Sequence, residues 1–297
     1  MRVGVVVLPE FPWAQARSVW RRVEELGFDH AWTYDHLAWR QLRDAPWFGA
    51  VPTLAAAALV TERVRLGTLV ASPNFRHPVP LARELVTLDD LSQGRLTVGI
   101  GAGGTGFDAV MLGQGPWSPT ERAVRFEEFV ALLDQLLRHP ATSHDGAFYS
   151  AVEARSYPGC VQRPRVPLAV AATGPHGMRV AATFGQLWVT TGDLAPDGDR
   201  LGAAAGVSVV GEQMRRLEET CGALGRDPSS IGRLVLSGPR LDGGLSSVDA
   251  FEDTVGRYGE AGVTDFVVHW PRPAQPYAAD LEVFERIFSG RPARGAS

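Results

Sequence analysis

The sequence His30-Ala31-Trp32-Thr33-Tyr34-Asp35-His36 begins as a short apolar segment and ends in a carboxylate next to an imidazole. We predict a buried β-strand over residues 30–33 and a loop that begins directly after it. Folds built from alternating strands and helices place their chemistry just beyond the carboxyl ends of the strands. This position makes Asp35 and His36 the first candidates for a functional site.

Short apolar segments alternate with amphipathic segments on both sides of this strand. Residues 3–8 are rich in β-branched side chains, and residues 14–26 carry apolar side chains at helical spacing before Gly27. The same criteria predict strands at residues 3–8, 30–33, 65–70, 96–100, 168–172, 188–190, 234–237 and 265–269. They predict helices at residues 14–26, 51–60, 79–91, 120–137, from 175, 204–224, 248–261 and 278–288.

This alternation predicts an α/β fold, a closed (β/α)8 or TIM barrel. The predicted strands are apolar on both faces, as expected where helices cover a parallel sheet. We expect a single domain over residues 1–289, with insertions after strand four and before strand five. Helical periodicity disappears between residues 140 and 167, where residues 146–149 indicate a hairpin. Residues 290–297 are expected to form a loose tail.

The composition is that of a globular protein, with 45% hydrophobic and 21% charged residues among 297. No apolar run approaches the ~20 residues of a membrane helix, and the first apolar run is too short for a signal peptide. We therefore expect a cytoplasmic protein without a membrane partner.

A net charge of −4 argues against nucleic acid as a partner. All 29 basic residues are arginine, which excludes Schiff-base chemistry and a P-loop, because both need lysine.

The candidates for metal ligands are few. Cys160 and Cys221 are far apart and have no His or Cys at metal-binding spacing, so neither a disulfide nor a zinc site is predicted. The predicted strand ends supply only His36, His269 and scattered acids, so we expect no catalytic metal. Glu10, after the first strand, is a second acid or base candidate, with a solvated loop carboxylate as the alternative.

Two glycine-bearing loops follow predicted strands. Residues 99–104 contain a GxGxxG pattern, which is either a tight turn or a place where the backbone can approach a ring system closely. Residues 172–175 join a strand to the start of a helix. There, free N–H groups and the Thr173 hydroxyl could receive a phosphate, or the residues could form a helix cap and nothing more.

Three segments together resemble the bacterial luciferase-like flavin oxidoreductases. They are Leu66-Gly67-Thr68-Leu69-Val70-Ala71-Ser72-Pro73-Asn74-Phe75-Arg76-His77-Pro78, Leu88-Asp89-Asp90-Leu91-Ser92-Gln93-Gly94-Arg95 and Gly99-Ile100-Gly101-Ala102-Gly103. Asp35 and His36, with Trp39 nearby, are similar to the branch that uses the deazaflavin coenzyme F420 in place of FMN. The resemblance implies hydride transfer between C5 of the deazaflavin and a C=C, C=N or C=O group of a small, largely apolar substrate. His36 would give or take the proton, with Asp35 as its neighbour.

The resemblance also implies the contacts with the coenzyme. Leu69 and Val70 would form a bulge with a non-proline cis peptide behind the ring, and the loop after strand four would border it. The segment after strand five would hold the phosphate-bearing tail. The implied coenzyme-binding residues are Trp39, Leu69, Val70, Ser72, Gly101, Ala102, Gly103, Gly104, Ala172, Thr173, Gly174 and Pro175.

The sequence leaves more than one substrate class and more than one coenzyme possible. Family members that oxidise sugar phosphates carry a glutamate at the place of Gly104 and bind the phosphate with lysines, so this chain disfavours a sugar phosphate. An FMN-dependent monooxygenase that uses molecular oxygen is the main alternative. A barrel that has lost its coenzyme and acts as a binding partner is a second one. The family also implies a homodimer.

Overall fold

A computed structural model shows a closed barrel of eight parallel strands and a separate two-stranded hairpin. It describes residues 1–104, 107–115, 117–192, 200–238 and 240–290, apart from the side chain of Gln41. The strands are β1 (Arg2–Val6), β2 (His30–Thr33), β3 (Arg65–Ala71), β4 (Leu96–Gly101), β5 (Ala141–Asp145), β6 (Ser150–Arg155), β7 (Leu168–Ala171), β8 (Leu187–Thr190), β9 (Gly232–Leu236) and β10 (Asp265–His269). Around the barrel they follow the order β1-β10-β9-β8-β7-β4-β3-β2, and β1 pairs with β2 to close it. The predicted (β/α)8 barrel is confirmed.

Helices surround the barrel close to the predicted positions. They are α1 (Trp13–Glu25), α2 (Ala50–Ala58), α3 (Pro78–Leu91), α4 (Phe107–Met111), α5 (Pro119–Arg138), α6 (Pro175–Phe184), α7 (Ala203–Ala223), α8 (Val248–Glu260) and α9 (Leu281–Phe288). Helix α4 was not predicted. Helix α9 begins three residues later than predicted, because Asp280 caps it by accepting a hydrogen bond from the N–H of Val283 at 3.0 Å.

Alternation along the strands divides the apolar residues into two layers. On β1, Val3 and Val5 face the layer between strands and helices, whereas Val6 belongs to a second cluster inside the barrel. Trp32 of β2 and Val267 of β10 join this inner cluster. Successive side chains of a strand point to opposite faces, so strands apolar at every position are what this two-layer barrel requires.

A buried polar network closes the amino-terminal end of the barrel. Arg2 donates two hydrogen bonds to Asp265 at 2.7 and 2.8 Å, and Nε2 of His30 lies 3.0 Å from the same carboxylate. Trp32 donates from its indole to Nδ1 of His30 at 2.7 Å. Burial raises the pKa of Asp265, but the hydrogen bonds from His30, Arg2 and Thr264 outweigh it and hold that pKa well below its usual range. These contacts fill this end, so a ligand site belongs at the opposite rim.

The insertion before β7 is the predicted hairpin. Strands β5 and β6 pair antiparallel, and Glu128 of α5 accepts hydrogen bonds from the N–H groups of Phe148 and Tyr149 at its turn.

Cys160 and Cys221 are buried free thiols. In the part of the chain that the structure describes, no helix combines the length and apolarity needed to cross a membrane. The expected tail falls largely on residues 291–297, which lie outside the described residues.

Candidate active site

The carboxyl ends of the barrel strands place the predicted site residues at one rim. Parallel pairing sets Val6 beside His269, Thr33 beside Thr68, and Ile100 beside Val170. The loops after these strands therefore leave the barrel at the same end. Within the described residues, no group of three or more His, Cys, Asp or Glu side chains is placed to hold a metal ion.

His36 is held by a carboxylate that the sequence did not single out. Its Nδ1 lies 2.7 Å from Oδ2 of Asp108 on α4. The other oxygen of Asp108 accepts hydrogen bonds from the N–H groups of Leu37 at 2.7 Å and Ala38 at 3.4 Å. Side-chain exposure is 1% for Asp108 and 23% for His36. A carboxylate opposite Nδ1 places the proton of the neutral imidazole there and leaves Nε2 as a hydrogen-bond acceptor.

Asp35 has a different partner from the one predicted. Its carboxylate accepts two hydrogen bonds from Arg76, at 2.9 Å from Nε and 2.7 Å from Nη2, and Arg76 also contacts Glu84 at 3.0 Å. The expected pairing of Asp35 with His36 is therefore wrong. Neighbouring residues that leave a strand direct their side chains to opposite sides. Asp35 turns to the loop after β3, whereas His36 turns to α4.

The bulge predicted on β3 is present. The Leu69–Val70 peptide bond is cis, and the pairing of β3 with β4 shifts register between Thr68 and Ala71. A Cβ on Gly101 of β4 would lie 2.8 Å from Cγ2 of Val70, so the strand beside the bulge has no room for a side chain there. The implied bulge and cis peptide are confirmed, while the contact with a coenzyme ring stays a prediction.

The glycines after β4 have different surroundings. Gly103 has φ of +72°, and a Cβ there would lie 2.5 Å from Nδ2 of Asn74, which donates to the carbonyl of Gly104 at 3.1 Å. A Cβ on Gly104 would meet no described atom within 4 Å. Gly103 is therefore required by the protein's own packing, whereas Gly104 leaves open backbone at the rim. Thr105 and Gly106 lie outside the described residues.

The segment after β7 presents backbone donors. Pro175 begins α6, and Gly174 precedes it without a side-chain cap. The carbonyl of Ala172 already has a hydrogen-bond partner within the protein, because it accepts from the indole of Trp188 at 2.7 Å. Thr173 lies between Ala172 and this helix start. The uncapped first turn can bind an anion through its N–H groups.

Two buried polar atoms near these loops have no hydrogen-bond partner among the described residues. They are Oγ of Ser72 and Nε of Arg122. Arg122 reaches the glycine loop, since its Nη1 donates to the carbonyl of Gly103 at 3.2 Å. Buried donors are normally paired, so such groups indicate a missing acceptor. With the uncapped α6, they fit a planar coenzyme that carries a phosphate.

Glu10 is neither free nor solvated. Its two carboxylate oxygens lie 2.8 and 3.0 Å from Nε of Arg272, and the side chains of Glu10 and Arg272 are only 14% and 10% exposed. The alternative of a solvated loop carboxylate is therefore wrong. The ion pair also disfavours Glu10 as an acid or base, because its oxygens already bind a guanidinium.

Trp39 is part of an aromatic stack formed by His269, Tyr277, Trp39 and Trp47. The ring centroids are 3.5 Å apart for His269 and Tyr277, 5.8 Å for Tyr277 and Trp39, and 6.4 Å for Trp39 and Trp47. Trp39 is only 8% exposed, so these neighbours cover most of it. Trp47 donates from its indole to the carbonyl of His36 at 2.9 Å, which ties the stack to the backbone of His36.

The chain belongs to a known family. The profile described as "Luciferase-like monooxygenase" matches residues 1–228. The chain is 42% identical over 174 residues to the F420-dependent glucose-6-phosphate dehydrogenase of Beutenbergia cavernae, covering 57% of this chain and 49% of that protein. It is 33% identical over 185 residues to the enzyme of the same name from Microbacterium testaceum, covering 59% and 51%. The chain thus spans about half the length of these curated relatives.

A solved structure shares the fold over almost the whole chain. The F420-dependent tetrahydromethanopterin reductase from Methanopyrus kandleri aligns with a TM-score of 0.77 and 18% identity, covering 97% of each chain. At this identity the likeness concerns the barrel and its connections.

The roles of two site residues, Asp108 and Arg76, were not predicted from the sequence. Asp108 follows the glycine loop in a segment without clear periodicity, and the acid so close after that loop was the only available signal. Arg76 stood inside the motif after strand three but was not assigned to Asp35. Pairs that join separate strand ends become visible only once the barrel brings the loops together.

Proposed function

We propose that the protein is an F420-dependent oxidoreductase that transfers a hydride between C5 of the deazaflavin and a small, largely apolar substrate. The observation that carries the proposal is His36, held at Nδ1 by Asp108 with Nε2 left as an acceptor, at the rim that also carries the Leu69–Val70 bulge. The names of the curated relatives support the choice of coenzyme.

Different residues of the rim would contact different parts of the coenzyme. Leu69, Val70 and Gly101 would lie against the ring, and the open backbone at Gly104 would border it. The N–H of Gly174 and the free N–H groups of the first turn of α6, which Pro175 begins, would bind the phosphate. The remaining proposed contacts are Trp39, Ser72, Ala102, Gly103, Ala172 and Thr173, joined by Nε of Arg122, which has no partner among the described residues.

The proton is assigned to His36. When bound, the deazaflavin supplies a carbon that can accept or give a hydride. Nε2 of His36 would take the proton of a substrate hydroxyl as the hydride leaves the adjacent carbon, or return it in the reverse direction. Asp108 would keep the ring oriented and stabilise its positive charge, which makes Asp108 a positioning residue.

Titration of the purified protein with F420 and, separately, with FMN tests the coenzyme. Fluorescence should report tight binding of F420 and weak binding of FMN. Tight binding of FMN alone would favour a monooxygenase, because the ring nitrogen that deazaflavin lacks supports oxygen chemistry. No binding of either would favour a barrel that serves only as a binding partner.

Turnover is followed by the absorbance of the deazaflavin, with cyclohexanol and oxidised F420 or with cyclohex-2-enone and reduced F420. His36→Ala should lower turnover about 100-fold or more while F420 affinity stays nearly unchanged, as expected for loss of a general acid or base. Unchanged turnover would remove His36 from the mechanism. The homodimer rests on the family resemblance and the cytoplasmic location on the sequence pattern, and both stay predictions.

A further inference from the structure

Trp47 makes a contact with His36 that the proposed proton transfer does not use. Its indole nitrogen donates a hydrogen bond to the backbone carbonyl of His36 at 2.9 Å, across 11 positions of the sequence. An indole nitrogen only donates and a carbonyl only accepts, so the direction of this hydrogen bond is fixed. The loop that leaves β2 therefore folds back on its own start, and we call residues 36–47 the histidine loop.

The histidine loop is held at one peptide group from two sides. The peptide that joins His36 to Leu37 presents its carbonyl to the indole of Trp47 at 2.9 Å. The N–H of the same peptide donates to Oδ1 of Asp108 at 2.7 Å. A peptide group is planar, so its carbonyl and its N–H point in opposite directions, and one partner on each side fixes its orientation. That orientation sets the backbone from which the imidazole of His36 projects.

The hydrogen bond between His36 and Asp108 depends on this orientation. Through its second oxygen, Oδ2, Asp108 also lies 2.7 Å from Nδ1 of the imidazole. Rotation of the peptide would move the N–H of Leu37 relative to the ring of His36. Asp108 could then not bind the ring and the N–H at these distances together. The hydrogen bond from Trp47 to the carbonyl opposes that rotation.

The surroundings of Trp47 hold its indole in place. Its ring is partly buried and stacks on Trp39, with centroids 6.4 Å apart and an angle of 11° between the ring planes. Trp39 stacks in turn on Tyr277, with centroids 5.8 Å apart. The next residue, Phe48, donates from its N–H to the carbonyl of Pro9 at 2.7 Å, which joins the end of the histidine loop to the loop after β1. Packing and backbone contacts therefore direct the indole N–H before any ligand binds.

We infer that Trp47 is a positioning residue of the proposed reaction: through the carbonyl of His36 it keeps the imidazole where Asp108 holds it. The inference rests on the proposed function, because it gives Trp47 a part in the proton transfer by His36. Trp47 needs no contact with coenzyme or substrate for this role. The role affects turnover because small displacements of a reacting group lower the rate strongly.

Trp47→Phe tests this inference, because it removes the indole N–H and keeps an aromatic ring beside Trp39. Turnover of cyclohexanol with oxidised F420 should fall about three- to tenfold, the size of one neutral hydrogen bond, while F420 affinity stays nearly unchanged. Urea denaturation checks that the variant is folded under the assay conditions. Should Trp47→Phe not fold, Trp47→Leu takes its place, since it also lacks the donor and keeps an apolar side chain.

Trp13→Phe is the matched control. Trp13 is the first residue of α1 and is 42% exposed, and its indole makes no hydrogen bond to a described residue. The substitution removes the same N–H group without affecting the histidine loop. Turnover and F420 affinity should therefore stay at their wild-type values.

The His36→Ala background separates positioning from simple stabilisation. If Trp47 acts through the imidazole, Trp47→Phe should lower the turnover of the wild type but not the residual turnover of His36→Ala, measured with enzyme in excess over substrate. The same fold-decrease in both backgrounds would overturn the inference. Unchanged turnover in the Trp47→Phe single variant would overturn it as well.

The imidazole of His36 gives a second measurement that needs no coenzyme. NMR follows the exchange of its Nδ1 proton with water, which requires the hydrogen bond to Asp108 to open. Trp47→Phe should raise this exchange rate about three- to tenfold, because one neutral hydrogen bond that opposes opening is lost. The proton should stay on Nδ1, since Trp47 contacts the carbonyl and not the ring nitrogens. Trp13→Phe should change neither quantity.

Failure of the proposed function is seen separately, as the absence of F420 binding in the titration that precedes these assays. In that case the exchange measurement on the coenzyme-free protein decides the inference alone. Faster exchange in Trp47→Phe than in the wild type would support the positioning of His36 by Trp47, and equal exchange would overturn it.

Discussion

His36 and Asp108, 72 residues apart in the sequence, share a hydrogen bond of 2.7 Å between Nδ1 and Oδ2. Helix α4, which carries Asp108, is only five residues long and follows the glycine loop after β4. The N–H groups of Leu37 and Ala38 bind the other oxygen of Asp108, so the loop after β2 wraps around this carboxylate. The position of the imidazole therefore depends on two separate strand ends.

Asp108→Asn should reverse the protonation of His36 without unfolding the protein. The N–H groups of Leu37 and Ala38 keep the amide oxygen on their side, so the amide NH2 faces Nδ1 of His36. Nδ1 must then accept, and the proton moves to Nε2. We expect cyclohexanol oxidation to fall about 100-fold while F420 affinity is retained. Nitrogen NMR of the imidazole measures the tautomer. A proton still on Nδ1 in the variant would contradict the predicted shift to Nε2.

Asp35→Asn should act on stability. The side chains of Asp35 and Arg76 are 2% and 17% exposed, and removing one partner of such a pair leaves a poorly solvated charge. We expect a loss of about 3 kcal/mol in the free energy of unfolding, the low end for a buried pair, because Arg76 keeps Glu84. Urea denaturation followed by tryptophan fluorescence measures it.

Glu84→Gln is the control for that measurement. The Glu84 side chain is 38% exposed, so its contact with Arg76 should contribute less than about 1 kcal/mol. The His36 tautomer should be the same in both variants and in the wild type. A tautomer change in Asp35→Asn would restore Asp35 as the partner of the imidazole.

The sequence predicted what depends on local pattern. The barrel follows from alternating apolar strands and amphipathic helices, and the Leu69–Val70 bulge followed from the family resemblance. The partners of His36 and Asp35 could not be predicted, because Asp108 and Arg76 reach them from other strand ends.

Gly103→Ala and Gly104→Ala should separate folding from ligand binding. A Cβ at Gly103 would lie 2.5 Å from Asn74, on a backbone with φ of +72°. We expect Gly103→Ala to cost about 1–3 kcal/mol of unfolding free energy. A Cβ at Gly104 meets no atom of the described residues within 4 Å, so Gly104→Ala should leave stability within about 0.5 kcal/mol. If the coenzyme passes this backbone, Gly104→Ala should weaken F420 binding, measured by fluorescence titration; unchanged affinity would exclude Gly104 from the contact.

The pH dependence of stability should reveal the buried, neutral His269. Burial lowers its pKa to about 3 in the folded protein, whereas an unfolded chain titrates its histidines near 6.5. Between these values the unfolded state binds a proton that the folded state does not, so the free energy of unfolding falls as the pH falls from about 6.5 towards 3, by up to about 1.4 kcal/mol per pH unit.

His269→Gln removes this difference while keeping a neutral polar side chain. Asp265 does not interfere between pH 6.5 and 4.5, because a carboxylate with a lowered pKa loses its contribution only near and below its unfolded value of ~3.9. We therefore expect the unfolding free energy of the wild type to fall more steeply with pH than that of the variant over this range. The two slopes should differ by up to about 1.4 kcal/mol per pH unit, which corresponds to one bound proton. Urea denaturation at pH 6.5, 5.5 and 4.5 measures both slopes. Parallel slopes would show that His269 takes up its proton over the same pH range in the folded and unfolded states, and would contradict a buried, neutral imidazole.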